Sequence, residues 1–146
     1  MIFYADASVI VKRYLREAGS DQVRTLFAEA SLAATALVSR AEVSAALAKS
    51  VRVGVLTRGD GESALRQFRA HWPDMFRLRV TEAVAARADE LAWRHGLRGY
   101  DTIHLATALG WGVGLGEAAA LATYDHQLWR AAQSEGFLVW PEALAG

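Results

Sequence analysis

Short apolar runs alternate with stretches of helical periodicity along almost the whole chain, and this alternation narrows the possible folds more than any other feature. Ile2-Phe3-Tyr4-Ala5 is an apolar run that ends on Asp6, after which Val9, Ile10, Val11, Tyr14 and Leu15 recur at helical spacing. A helix over residues 20–30, with Val23, Leu26 and Phe27 inward, leads to a buried strand over 32–38. Ser39-Arg40-Ala41-Glu42 has the capping-box pattern and predicts a helix start, followed by an apolar stripe that lasts until Gly54. Thr57 or Asp60 caps the next helix, which carries Leu65, Phe68 and Trp72.

Residues 76–80 alternate apolar side chains with arginine, as a half-covered strand does, and a helix over 81–95 closes at Gly96. Gly99-Tyr100-Asp101 opens a helix over 102–109, residues 110–116 read as a glycine-rich connection, and Ala119-Ala120-Leu121-Ala122-Thr123 forms a small-residue strand. Asp125 opens a last helix that Gly136 ends, and Phe137-Leu138-Val139-Trp140 supplies a final strand.

Strands that are continuous apolar runs, each followed by a helix, call for a parallel sheet covered on both faces. The expected architecture is α/β, a central, mostly parallel sheet of about five short strands flanked by helices in an α/β/α sandwich. With 146 residues, 53% of them hydrophobic, and no linker or repeat, one domain over 1–146 is expected.

The absence of cysteine excludes a disulfide frame, a thiolate zinc site and a cysteine nucleophile. Neither a signal peptide nor an apolar run of membrane-spanning length is visible, so a soluble, cytoplasmic protein without membrane association is expected. The 16 basic residues balance the 16 acidic ones, and net charge therefore argues neither for nor against a nucleic-acid partner.

Four acids fall where a parallel sheet gathers its carboxyl ends: Asp6 and Asp125 after strands, Glu42 and Asp101 in the first turns of helices. Each alone is explained by capping of free backbone N–H groups. As a set they repel one another, and a divalent cation relieves that repulsion; oxygen ligands without histidine or cysteine suit magnesium or manganese. Magnesium held by a few carboxylates points to phosphodiester chemistry. Ser8 and Thr123 lie two residues from Asp6 and Asp125, placed to orient a carboxylate or to cap locally.

Three segments resemble the PIN domain of the bacterial VapC toxin type. Tyr4-Ala5-Asp6-Ala7-Ser8 is similar to that family's opening strand, residues 100–108 (YDTIHLATA) to its most recognisable helix start, and Leu121-Ala122-Thr123-Tyr124-Asp125 to its Thr-x-Asp strand end. Glu42 matches the family's second acid in order and setting. The resemblance implies a PIN-like ribonuclease domain in which Asp6, Glu42, Asp101 and Asp125 are the metal-binding catalytic acids, supported by Ser8 and Thr123. It further implies Mg2+ or Mn2+, cleavage of an RNA such as a tRNA or rRNA, a VapB-like antitoxin and a homodimer. The stretch 110–116 offers no extra acid near Asp125, which leaves a fifth ligand found in some relatives without a counterpart.

Arg13, Arg16, Arg40 and Arg98 are nearest the acids in sequence and are the candidate phosphate contacts, each with a solvated surface role as the alternative. His104, three residues past Asp101, shares its helical face and reads as a buried polar side chain satisfied by a neighbour, or as an RNA contact or proton shuttle. Most of the five tryptophans are expected in the core or at a dimer interface, Trp72, Trp93 and Trp129 on apolar helix stripes. Two other functions compete: a phosphatase of the haloacid-dehalogenase-like type, which needs an acid where Ser8 stands, and a non-catalytic module that binds a metal or a partner.

Overall fold

The computed structural model describes residues 1–144. Strands β1 (Ile2–Ala5), β2 (Leu32–Ala36), β3 (Phe76–Leu78), β4 (Ala120–Ala122) and β5 (Leu138–Trp140) form one sheet in the order β3-β2-β1-β4-β5, every neighbouring pair parallel. Helices α1 (Ala7–Lys12), α2 (Ser20–Glu29), α3 (Ser39–Arg52), α4 (Arg58–His71), α5 (Glu82–His95), α6 (Gly99–Leu115) and α7 (His126–Ser134) connect them.

Alternation along the central strands divides the core in two. Phe3 and Ala5 of β1 and Ala120 and Ala122 of β4 face a layer built on Val9, Val23, Val43, Phe68 and Trp72. Tyr4 and Leu121 point the other way, into a layer that includes Leu91, Leu105, Leu128 and Ala132. This is the expected α/β/α sandwich, with α1 to α4 on one face and α5 to α7 on the other.

The strand order turns at β1. From β1 the chain moves outward through β2 to β3 and then returns to lay β4 along the other side of β1. The helices that leave β1 and β4 lie on opposite faces of the sheet, which makes the carboxyl ends of these two strands the switch point where open parallel sheets usually form a ligand crevice. Asp6 and Asp125 follow β1 and β4 at that switch point.

Four expectations are corrected. The glycine-rich stretch after residue 109 is helix: α6 runs to Leu115 and stops at Gly116, whose φ of 68° suits glycine and ends the helix. Packing offsets the poor helical propensity of three glycines, since Trp111 stacks on Phe76 with centroids 6.5 Å apart and Gly112 leaves room for the Phe137 ring. β2 ends at Ala36, so Leu37 and Val38 are exposed rather than buried.

The capping box at Ser39 does not form. Val38 occupies the N-cap without a side-chain bond, while the Ser39 hydroxyl lies 2.7 Å from that of Thr35. Trp93 is 93% exposed, two residues and hence about 200° around α5 from the buried Leu91. Trp72, by contrast, is buried as expected.

Candidate active site

Asp6 and Asp125 both sit at helix N-caps, because each strand must leave the sheet and turn directly into a helix whose first N–H groups lack partners. Asp6 Oδ1 accepts the Val9 N–H at 3.2 Å and the Ser8 hydroxyl at 2.6 Å, and Oδ2 accepts the Thr123 hydroxyl at 2.6 Å. Asp125 Oδ1 accepts the Leu128 N–H at 2.9 Å, and its own N–H donates to Thr123 Oγ1 at 3.0 Å. Ser8 and Thr123 therefore form a hydroxyl collar that joins the end of β1 to the end of β4. Capping and membership of the acid cluster coincide in these two residues.

Asp101 and Glu42 are not caps. Asp101, in the first turn of α6, is buried and accepts from Arg98 Nε at 3.2 Å. The same guanidinium donates through Nη2 to Asp125 Oδ2 at 2.9 Å and so ties α6 to α7. Glu42, in the first turn of α3, pairs through Oε1 with His104 Nε2 at 2.6 Å. His104 is buried and lies near enough to Asp6, Glu42 and Asp101 to feel all three charges. The fold thus gathers the four predicted acids, with Ser8 and Thr123, around the carboxyl ends of β1 and β4.

Burial holds the Asp6 carboxyl above its ordinary range, although the His104 charge and the hydrogen bonds from Ser8, Thr123 and Val9 pull it down. Asp101 is also raised, by burial and by the Asp125 and Asp6 carboxylates, with Arg98 opposing. For His104, burial disfavours the charged ring, but the Glu42 hydrogen bond and the charges of Asp6, Glu42 and Asp101 outweigh it and raise the pKa. When ionised, the four carboxylates outnumber their basic partners Arg98 and His104.

That imbalance is what a hard divalent cation corrects, and the donor set fits one in its chemistry: four carboxylates, two of them destabilised as anions. Among the described residues no three or more Asp, Glu or His side chains are already closed around a metal position. Arg98 bridges two of the acids instead.

A PIN domain family model matches residues 3–133. The chain belongs to the PIN-domain family. Among curated proteins, this PIN domain is 33% identical over 143 residues to Ribonuclease VapC45 of Mycobacterium tuberculosis (strain CDC 1551 / Oshkosh), covering 98% of this chain and 97% of that one. It is 36% identical over 136 residues to Ribonuclease VapC46 of Mycobacterium tuberculosis (strain ATCC 25618 / H37Rv), covering 93% and 94%. Among solved structures, a toxin–antitoxin complex from Klebsiella pneumoniae superposes with a TM-score of 0.69 at 16% identity, over 98% of this chain and 99% of that one. A FitAB structure bound to an IR36 DNA fragment gives 0.70 at 20% identity, over 99% of both chains. At these identities the structural likeness is one of fold.

Of the arginines singled out as phosphate contacts, Arg98 alone is paired with the acids. Arg13 lies over the Phe27 ring, 4.7 Å from its centroid, and Arg16 and Arg40 are exposed. Tyr4 was not singled out from the sequence. Its hydroxyl lies 2.7 Å from His104 Nδ1, and the one signal for it is its place two residues before Asp6, near the end of β1.

Proposed function

We propose that this PIN domain is a metal-dependent endoribonuclease and the toxin of a VapBC-type toxin–antitoxin pair, inhibiting translation by cleaving a tRNA or rRNA in the cytoplasm. The observation that carries the reading is the meeting of Asp6, Asp101 and Asp125 at the carboxyl ends of β1 and β4, where burial raises Asp6, and burial with the neighbouring Asp125 and Asp6 carboxylates raises Asp101. The ribonuclease names of its relatives, over nearly the full chain, support the substrate class. Toxin–antitoxin complexes among the solved structures of the same fold support an antitoxin partner. A homodimer accords with the same reading.

Asp6, Glu42, Asp101 and Asp125 would hold Mg2+ or Mn2+, which supplies an activated water and charge stabilisation at the scissile phosphate. Ser8 and Thr123 keep both Asp6 oxygens oriented by donating to them, and the α1 backbone restrains the same carboxylate. Arg98 is the cation placed to meet an incoming phosphate, with a planar guanidinium suited to phosphate oxygens. The phosphatase alternative is not favoured: the residue two past Asp6 is Ser8, whose hydroxyl is spent on Asp6 itself and has no acidic proton for a leaving group.

The test is cleavage of total tRNA and rRNA by protein purified free of any antitoxin, with Mg2+ or Mn2+ and in EDTA. Metal-dependent cuts that disappear in Asp6→Asn and Asp101→Asn are expected. No cleavage under any metal, with growth inhibition intact in Asp6→Asn, would refute the proposal and leave the metal- or partner-binding module.

A further inference from the structure

Three of the four acids are restrained from more than one side. Asp6 and Asp125 are caps locked to the backbone, and Asp101 is buried and gripped by Arg98. Glu42 differs. Its side chain is 27% exposed, it has three rotatable bonds, and among the described residues its one hydrogen-bonded side-chain partner is His104 at 2.6 Å.

His104 in turn is 1% exposed and anchored in the core layer opposite to that of α3. A carboxylate only accepts, so His104 Nε2 carries the hydrogen directed at Glu42. Nδ1, the other ring nitrogen, lies 2.7 Å from the Tyr4 hydroxyl, which accepts from a charged ring and donates to a neutral one. Tyr4, itself fully buried, packs its ring edge-on to the imidazole with centroids 5.8 Å apart. The contacts on the two ring nitrogens, with the edge-on Tyr4 ring, set the plane of the imidazole. The result is a three-residue chain from β1 through α6 to α3, whose outer end is the least restrained acid of the site.

We infer that His104 is a positioning residue: held by Tyr4, it fixes Glu42 through Oε1 and leaves Oε2 turned to the cation that Asp6, Asp101 and Asp125 share. This rests on the reading of the four acids as metal ligands. It also accounts for a histidine at 1% exposure beside three acids. A side chain that only filled the core would be cheaper as leucine, whereas a donor at that point is needed if Glu42 is to be held in one rotamer.

Mn2+ binding by isothermal titration calorimetry tests the role without reference to turnover, on wild type, His104→Leu, His104→Gln, Glu42→Gln, the double variant His104→Leu/Glu42→Gln, and Asp101→Asn. His104→Leu is expected to weaken Mn2+ about ten-fold or more, within the range for partners of metal ligands, and His104→Gln, which keeps an N–H donor, to recover part of it. Because His104 acts through Glu42, adding His104→Leu to Glu42→Gln should cost no further affinity. Wild-type affinity in His104→Leu, or equal losses in both backgrounds, would overturn the inference. If His104→Leu does not fold, His104→Gln in both backgrounds makes the same comparison: a loss confined to the Glu42 background supports the role, and equal losses overturn it. Weakened binding in Asp101→Asn but not in His104→Leu removes His104 and keeps the metal site. Unchanged binding in Asp101→Asn removes the metal reading itself, and this inference with it.

Discussion

Thr123→Val isolates the hydroxyl collar. The replacement has nearly the same shape at a fully buried position and deletes, besides a long 3.4 Å contact with Ser8 Oγ, two shorter hydrogen bonds: the donor to Asp6 Oδ2 at 2.6 Å and the acceptor for the Asp125 N–H at 3.0 Å. The first is made to a buried carboxylate and is worth about 2 kcal/mol; the second leaves a part-buried N–H unpaired, at about 1 kcal/mol. The total is about 3 kcal/mol. With an unfolding entropy on the order of 0.3 kcal/mol/K for 146 residues, the metal-free melting temperature should fall by about 10 °C near neutral pH.

The pH dependence separates the two losses. Burial raises the folded-state pKa of Asp6 above its ordinary 3.8, so ionised Asp6 costs stability that is recovered as pH falls through the folded-state pKa. Losing a donor to the charged form raises that pKa further. The penalty of the variant is therefore largest above the folded-state pKa and shrinks in acid to the smaller, pH-independent part. Melts followed by circular dichroism in EDTA, across a pH series, measure both. A fall of under ~3 °C at neutral pH, or a penalty that does not shrink in acid, would refute the account of Asp6 as a carboxylate kept charged by its hydroxyls.

Asp101→Asn should raise the metal-free melting temperature near neutral pH, because Asp101 is itself raised by burial, Asp125 and Asp6; the gain should fade as pH drops through its folded-state pKa, and a lower melting point would contradict it. Glu135→Gln should act in the opposite sense. His95 and Arg94 hold Glu135 below its ordinary 4.5, so its stabilisation is present above that value and lost as pH falls through the lower folded-state pKa; a melt of the variant that matches wild type at neutral pH would count against the bridge from α5 to α7. Gly61→Ala should destabilise by about 1–3 kcal/mol, since a Cβ there would lie 2.3 Å from Val51 Cγ2 in the α3–α4 contact. Adding Val51→Ala should return part of the loss in urea unfolding, and no rescue would place the strain elsewhere.

Much of the fold was legible because its cues are local. Ile2-Phe3-Tyr4-Ala5 and Ala120-Leu121-Ala122 are apolar runs followed by acids that cap the next helix, and those acids are Asp6 and Asp125. Other patterns misled because local chemistry has two solutions. Ser39 and Glu42 fit a capping box, yet Ser39 meets the Thr35 hydroxyl and Glu42 meets His104, so neither is left for the helix end. Three glycines between 110 and 114 read as a loop, and the contacts of Trp111 and Phe137 keep them helical.

From the sequence alone came the layered α/β class, the order of strands and helices, and the acids that the strand ends would present. Each follows from side-chain periodicity and from backbone groups that must be capped within a few residues of where the chain turns. Which acids are caps and which are held by other side chains was decided only in three dimensions. Glu42 meets His104 across 62 residues, His104 meets Tyr4 across 100, and Arg98 joins Asp101 to Asp125. No short-range pattern specifies such pairs; they exist because the switch in strand order at β1 brings the ends of β1 and β4 and the first turns of α3 and α6 to one place.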